Sequence, residues 1–137
     1  ANDIFSEMDA SGINFAGFIP QGNISLENAF DGVKNAVIKT SNWNLSSGAN
    51  IQLMFFNLYN TKLHIDLDLA NLLNATNAFN SYGPVHDVYV LIEAGTTDPG
   101  LPTGGASYLD NTNVWCPNYA GTEFMGVTCQ KAPFPYP

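Results

Sequence analysis

Arginine is absent, and only four lysines stand against twelve acidic residues, for a formal net charge of −8. No basic stripe can form, so a phosphate backbone finds nothing to bind; nucleic acid is excluded as a partner. Anionic membrane surfaces are disfavoured for the same reason. Long hydrophobic runs are also missing. None approaches the eighteen or so residues of a membrane span. Charged residues of either sign make up only 12% of the chain, about half the usual share. The surface must be covered by other polar groups, and 17 asparagines do much of this. Several catalytic signatures are lacking too. The chain contains no G-x-S-x-G, H-E-x-x-H, P-loop, G-x-G-x-x-G or paired C-x-x-C. No catalytic residue, metal ligand or cofactor is assigned, and a non-enzymatic role is favoured over an enzymatic one.

What is present suits a secreted domain. The 137 residues are 45% hydrophobic, enough for one core, and are read as a single globular domain over 1–137. The first residues, Ala1-Asn2-Asp3, contain neither Met nor an apolar leader. This is the expectation for a mature chain whose export signal has been removed. Two cysteines, Cys116 and Cys129, form an even pair in an irregular segment and are expected to be bridged. Closing such a loop contributes about 3 kcal/mol in the chain-entropy model. Sequons at Asn23, Asn44 and Asn74 add the expectation of an extracellular glycoprotein.

Periodicity points to an α+β fold. Leu26, Phe30, Val33 and Val37 fall at i, i+4, i+7 and i+11, predicting a helix over 25–39 with Ser25 as its cap. The apolar run 51–59 reads as a strand buried on both faces. Residues 62–69 alternate strictly, which predicts a half-buried strand, and Asn60-Thr61 between the two runs suggests an antiparallel hairpin. A short helix over 69–79 and a third strand over 85–93 follow. No internal repeat is evident. The expected architecture is a mostly antiparallel sheet of three to five strands carrying one or two helices, with a loop-rich C-terminal third.

The segment best suited to a ligand is 108–119. Tyr108, Trp115 and Tyr119 offer flat apolar faces with polar edges. Asp110, Asn111, Asn113 and Asn118 offer short, rigid acceptors and donors. Sugars need both, and a disulfide would preorganise the loop. The leading expectation is therefore a secreted, lectin-like carbohydrate-binding protein acting in defence or recognition, with a glycan or glycoprotein as partner. Two rival readings stand beside it. One is a small glycan hydrolase drawing paired carboxylates from Asp66, Asp68, Glu93 and Glu123. The other is a toxin or coat protein that self-associates, with a homodimer as its expected form, through Leu53-Met54-Phe55-Phe56 and the tail Phe134–Pro137.

Overall fold

Each peptide unit must find a hydrogen-bond partner when buried, and this chain solves that requirement by coiling. The computed structural model describes residues 2–82, 86–100 and 106–137. Its strands are short: β1 Gln21–Gly22, β2 Val37–Lys39, β3 Asn44–Leu45, β4 Tyr59–Ile65, β5 His86–Ile92, β6 Val114–Trp115, β7 Glu123–Phe124 and β8 Val127–Thr128. The main sheet has the order β2-β4-β5-β6, and every pair in it is parallel. A second parallel pair joins β1 to β3, and among the described residues only the small β7–β8 hairpin is antiparallel. Successive parallel strands in sequence order, stacked coil upon coil, make a β-solenoid.

The coil is about 25 residues long. Asp9 bridges to Lys34 and Lys34 to Tyr59, each 25 residues on. Ser25 bridges to Asn50 and Asn50 to Asn74, steps of 25 and 24. The same step carries a phenylalanine column through the core. Phe5, Phe30, Phe55 and Phe79 stack with ring centroids 5.1, 5.9 and 5.8 Å apart, and Phe124 closes the column 5.9 Å beyond Phe79. Inward residues of the sheet keep the same register: Ile38, Leu63, Val90 and Val114 are neighbours across four strands and all are buried.

This architecture overturns the α+β expectation at several points. No α-helix forms over 25–39. Leu26, Phe30 and Val33 are indeed buried, but they lie in consecutive tight turns. Ala29 N–H donates to the Leu26 carbonyl, three residues back, while the amides of Leu26, Asn28, Phe30 and Gly32 donate to Asn50, Gln52, Met54 and Phe56 of the next coil. Asn28, Gly32 and Asn35 have φ of +58°, +75° and +59°, which no right-handed helix accommodates. A turn repeating about every four residues places apolar side chains at nearly the same interval as a helix, so the two patterns are hard to separate by spacing. The run 51–59 is the equivalent corner of the following coil rather than a strand until Tyr59, and its join to β4 is no hairpin, since β4 pairs in parallel with β2 and β5. The expected helix over 69–79 is reduced to a single 3₁₀ turn, Leu69–Asn71. The sheet is parallel because each strand returns only after a whole coil.

The coil also corrects the reading of no internal repeat. Left-handed residues align in columns: Asp3, Asn28, Leu53 and Asn77; Glu7, Gly32 and Asn57; Asn35, Asn60 and Asp87. Asparagine and aspartate tolerate this conformation better than most residues, which is one reason the chain uses so many. Others close Asx turns, in which a side-chain oxygen accepts the amide two residues on, as at Asn14, Asn50, Asn74, Asp98 and Asp110. A ladder of side chains links the third column, with Asn60 Nδ2 donating to Asn35 Oδ1 at 2.9 Å and Asn35 Nδ2 to Asp9 Oδ1 at 3.1 Å. The Asn35 bond, with two more from the Ser11 amide and hydroxyl, holds the Asp9 carboxyl below its ordinary pKa.

Candidate functional site

The outer face of the main sheet is built by strand alternation. Residues beside the inward Ile38, Leu63, Val90 and Val114 point outward, so Val37, Lys62 and Tyr89 form one outward row and Lys39, His64, Leu91 and Trp115 the next. An exposed row of this kind would leave Trp115 wet. Instead the C-terminal tail crosses it. Proline at 133, 135 and 137 keeps the tail extended, and alternation sets Phe134 and Tyr136 down on the sheet.

The result is a cluster of aromatic rings on the outside of the solenoid. Tyr136 lies 4.3 Å from Tyr89 and 5.9 Å from Trp115 between ring centroids. Phe134 meets Trp115 edge-on at 5.4 Å and His64 at 5.1 Å. Lys62 Nζ sits 5.7 Å from the Tyr136 ring centroid, a cation–π distance. His64 Nε2 lies 3.2 Å from the Pro137 carbonyl oxygen. Burial holds the His64 pKa below its usual value, aided by the nearby Lys39 charge and partly offset by the Pro137 bond. The Tyr89 hydroxyl is pushed up, chiefly by its hydrogen bond with Tyr136. Phe134, Tyr136 and Tyr89 each stay half-exposed, whereas Trp115 is only 8% exposed beneath them.

The expected ligand segment is dispersed by the fold. Tyr108 is interior, 1% exposed, and its hydroxyl donates to the Phe55 carbonyl at 2.8 Å; burial raises its pKa well above the ordinary tyrosine value. Asn113 is also buried, donating to the Val88 and Tyr108 carbonyls at 2.9 and 2.6 Å and accepting from Asp110 N–H at 2.8 Å. Asp110 closes a turn through the amide and hydroxyl of Thr112, with Asn111 exposed inside it. Asn118 is exposed, and Tyr119 packs on Phe124 with Lys131 Nζ over its ring. Of the seven, Trp115 is the residue the structure places in the aromatic cluster. Tyr89, Phe134 and Tyr136 were not singled out as ligand contacts by sequence; the prolines between the tail aromatics were the available signal.

The disulfide is formed. Cys116 and Cys129 are bonded with Cα atoms 5.7 Å apart, pinning the β7–β8 hairpin beside β6. Lys131 Nζ fastens the same loop by donating to the Cys116 and Tyr119 carbonyls. Among the sequons, Asn44 is exposed on β3, Asn23 Oδ1 accepts from Gly48 N–H, and Asn74 Nδ2 donates to Gln52 Oε1 at 3.3 Å.

Of the carboxylates of the hydrolase reading, Asp66 and Glu93 each directly follow one of the paired residues Ile65 and Ile92 on adjacent strands. Asp68 accepts from Thr97 and Asn71, which lowers its pKa, and Asp66 lies against Gly95. Glu123 is exposed on β7 and Glu93 half-buried just after β5. Neither of two surface cavities, of about 380 and 230 Å³, is lined by any of these four. Among the described residues no group of three or more His, Cys, Asp or Glu is placed to hold a metal ion, and no helix is long and apolar enough to cross a membrane. The run Leu53–Phe56 is spent in the core, with Met54, Phe55 and Phe56 buried.

The chain matches no protein-family model, and no curated protein and no solved structure matches it.

Proposed function

We propose that this chain is a secreted recognition domain that binds glycans on the outer face of its solenoid sheet. The reading rests on one observation: the tail and strands gather Tyr89, Trp115, Phe134 and Tyr136 into one outward cluster rimmed by Lys62 and His64. Half-exposed aromatic faces supply the apolar platform on which a sugar ring stacks, and the lysine, imidazole and phenolic groups supply hydrogen bonds at its rim. The platform is preformed, because the tail already lies in place, so binding would order little. The Cys116–Cys129 bridge supports an oxidising, extracellular setting.

A glycan array tests this directly. Binding that falls at least tenfold in Tyr136→Ala and Tyr89→Ala, with the fold intact by circular dichroism, is the expected result. Folded protein that binds no glycan removes the proposal, and undiminished binding by both variants removes this face as the site.

A further inference from the structure

The solenoid begins with a coil that leaves its sheet unfinished. In the first coil the chain tracks the second as far as Ala10, whose N–H donates to the Lys34 carbonyl at 2.8 Å. A turn then closes, Ile13 N–H donating to the Ala10 carbonyl with Gly12 at φ +75°, and the chain leaves the sheet. It rejoins its neighbour only at Pro20, whose carbonyl accepts from Asn44 N–H. Between these points Phe15 and Phe18 cap the end of the core, packing on Phe30 at 5.5 and 5.8 Å, instead of adding a strand beside β2.

β2 is therefore an open edge. Lys62 N–H donates to the Ala36 carbonyl and Thr40 N–H to the His64 carbonyl. By the alternation of a parallel ladder, Ile38 also faces β4, while the N–H and C=O groups of Val37 and Lys39 face away from it. No hydrogen bond to these outward groups is found among the described residues. Beyond them lies the cavity of about 380 Å³, lined by Ile13, Phe15, Phe18, Ile19, Val37 and Lys39. Its walls mix apolar and polar side chains: Ile13, Ile19 and Val37 are 49, 43 and 41% exposed, and Asn14, Ser41 and Asn42 also line it. Its charge is equally specific. In a chain of net charge −8, Lys34, Lys62 and Lys131 each lie over a tyrosine ring, whereas Lys39 has neither a ring nor a hydrogen-bond acceptor among the described residues.

We propose that this edge and groove bind an extended peptide segment of another protein, which adds to the main sheet as a further strand on β2. Side chains two apart on a strand share a face. The segment that fits therefore carries an apolar residue against Val37, Ile13 and Ile19, and an aspartate or glutamate two positions away beside Lys39. Main-chain bonds to Val37 and Lys39 supply affinity, and the groove and the lysine supply selectivity. A lysine on an edge strand deters indiscriminate pairing; here the same charge selects a strand bearing a carboxylate.

The test is an array of capped heptapeptides with alternating threonine, in which one outward position is Leu or Val and the next outward position is Glu, Gln or Lys. Peptides with Glu should bind the disulfide-intact protein most tightly, and N-methylation of alternate peptide amides should abolish binding. Lys39→Glu should reverse the Glu-over-Lys preference, with affinity for the Glu peptide falling about three- to tenfold, while Lys34→Glu leaves it unchanged. Val37→Pro removes an outward donor without touching a bond to β4 and should weaken binding about fivefold; Lys39→Glu remains the test should that variant not fold. Equal binding of Glu and Lys peptides, or insensitivity to N-methylation, overturns the proposal. So does a concentration-dependent dimer abolished by Lys39→Glu, which gives the edge to a second copy. Tyr136→Ala should leave peptide binding intact, so loss of the glycan site and loss of this one are separable.

Discussion

His64 packs edge-on against Phe134, ring centroids 5.1 Å apart, so the imidazole is half-buried beneath a tail residue seventy positions away in sequence. The contact ties the tail's position to a titration.

Burial lowers the His64 pKa below 6.5 in the folded chain. The folded state then binds this proton less readily than the unfolded one. The stabilisation from the neutral ring is complete above about pH 6.5 and is lost as pH falls toward the lowered folded value. Thermal melts between pH 7.5 and 5 should show Tm falling over that window, and His64→Gln should flatten the fall. An unchanged slope in the variant would assign the effect to other groups. Asp31 runs the other way: burial raises its carboxyl pKa, so its contribution favours folding at low pH and fades as pH rises through the carboxylate range.

Removing residues 133–137 should uncover Trp115. The chain has two tryptophans, and Trp43 lies stacked near Phe30 and Phe55 in the core, away from the tail. Truncation should red-shift emission and raise acrylamide quenching of one tryptophan, and Trp115→Phe should cancel the change. Emission unaltered by truncation would mean the tail does not cover the ring in solution.

Phe55 lies mid-column, between Phe30 and Phe79. Phe55→Ala should cost about 3–5 kcal/mol, and more than Phe5→Ala, because Phe5 stands at the column's half-buried end. Urea melts of the two variants check the ranking; equal costs would contradict a continuous column.

Asn113 joins the segment before β6 to β5 and to Tyr108 by three hydrogen bonds. Asn113→Ala should destabilise by about 1–3 kcal/mol for each buried group left unpaired, with glycan affinity per folded molecule unaltered. A selective loss of binding at full stability would return Asn113 to the ligand site.

Opening the Cys116–Cys129 bridge by double substitution to serine should remove about 3 kcal/mol in the chain-entropy model. Peptide binding at β2 should persist where the variant stays folded, since the bridge lies at the far strand of the sheet.

Much of the local structure was legible. The apolar row at Val88, Val90 and Ile92 identifies the stretch that becomes β5, while of the alternating run 62–69 only the part up to Ile65 belongs to β4, which begins at Tyr59. The cysteine pair identifies the bridge. Alternation carries no information about partners, however, because a strand shows the same period in parallel and antiparallel sheets. The repeat was hidden for a related reason. Asn28-Ala29-Phe30 recurs as Asn77-Ala78-Phe79, but the middle coil has Leu53-Met54-Phe55, keeping the backbone conformation and the ring while changing the letters.

Composition and spacing by themselves determined the acidic charge, the bridged cysteines, the inward alternation along the long strands and the extended tail, because each follows from residue chemistry or from neighbours within a few positions. The parallel stacking, the left-handed columns, the open edge at β2 and the meeting of Trp115 with Phe134 and Tyr136 were decided only by the tertiary structure. They depend on contacts one coil or more apart, and the coil length emerges only when the turns close upon one another.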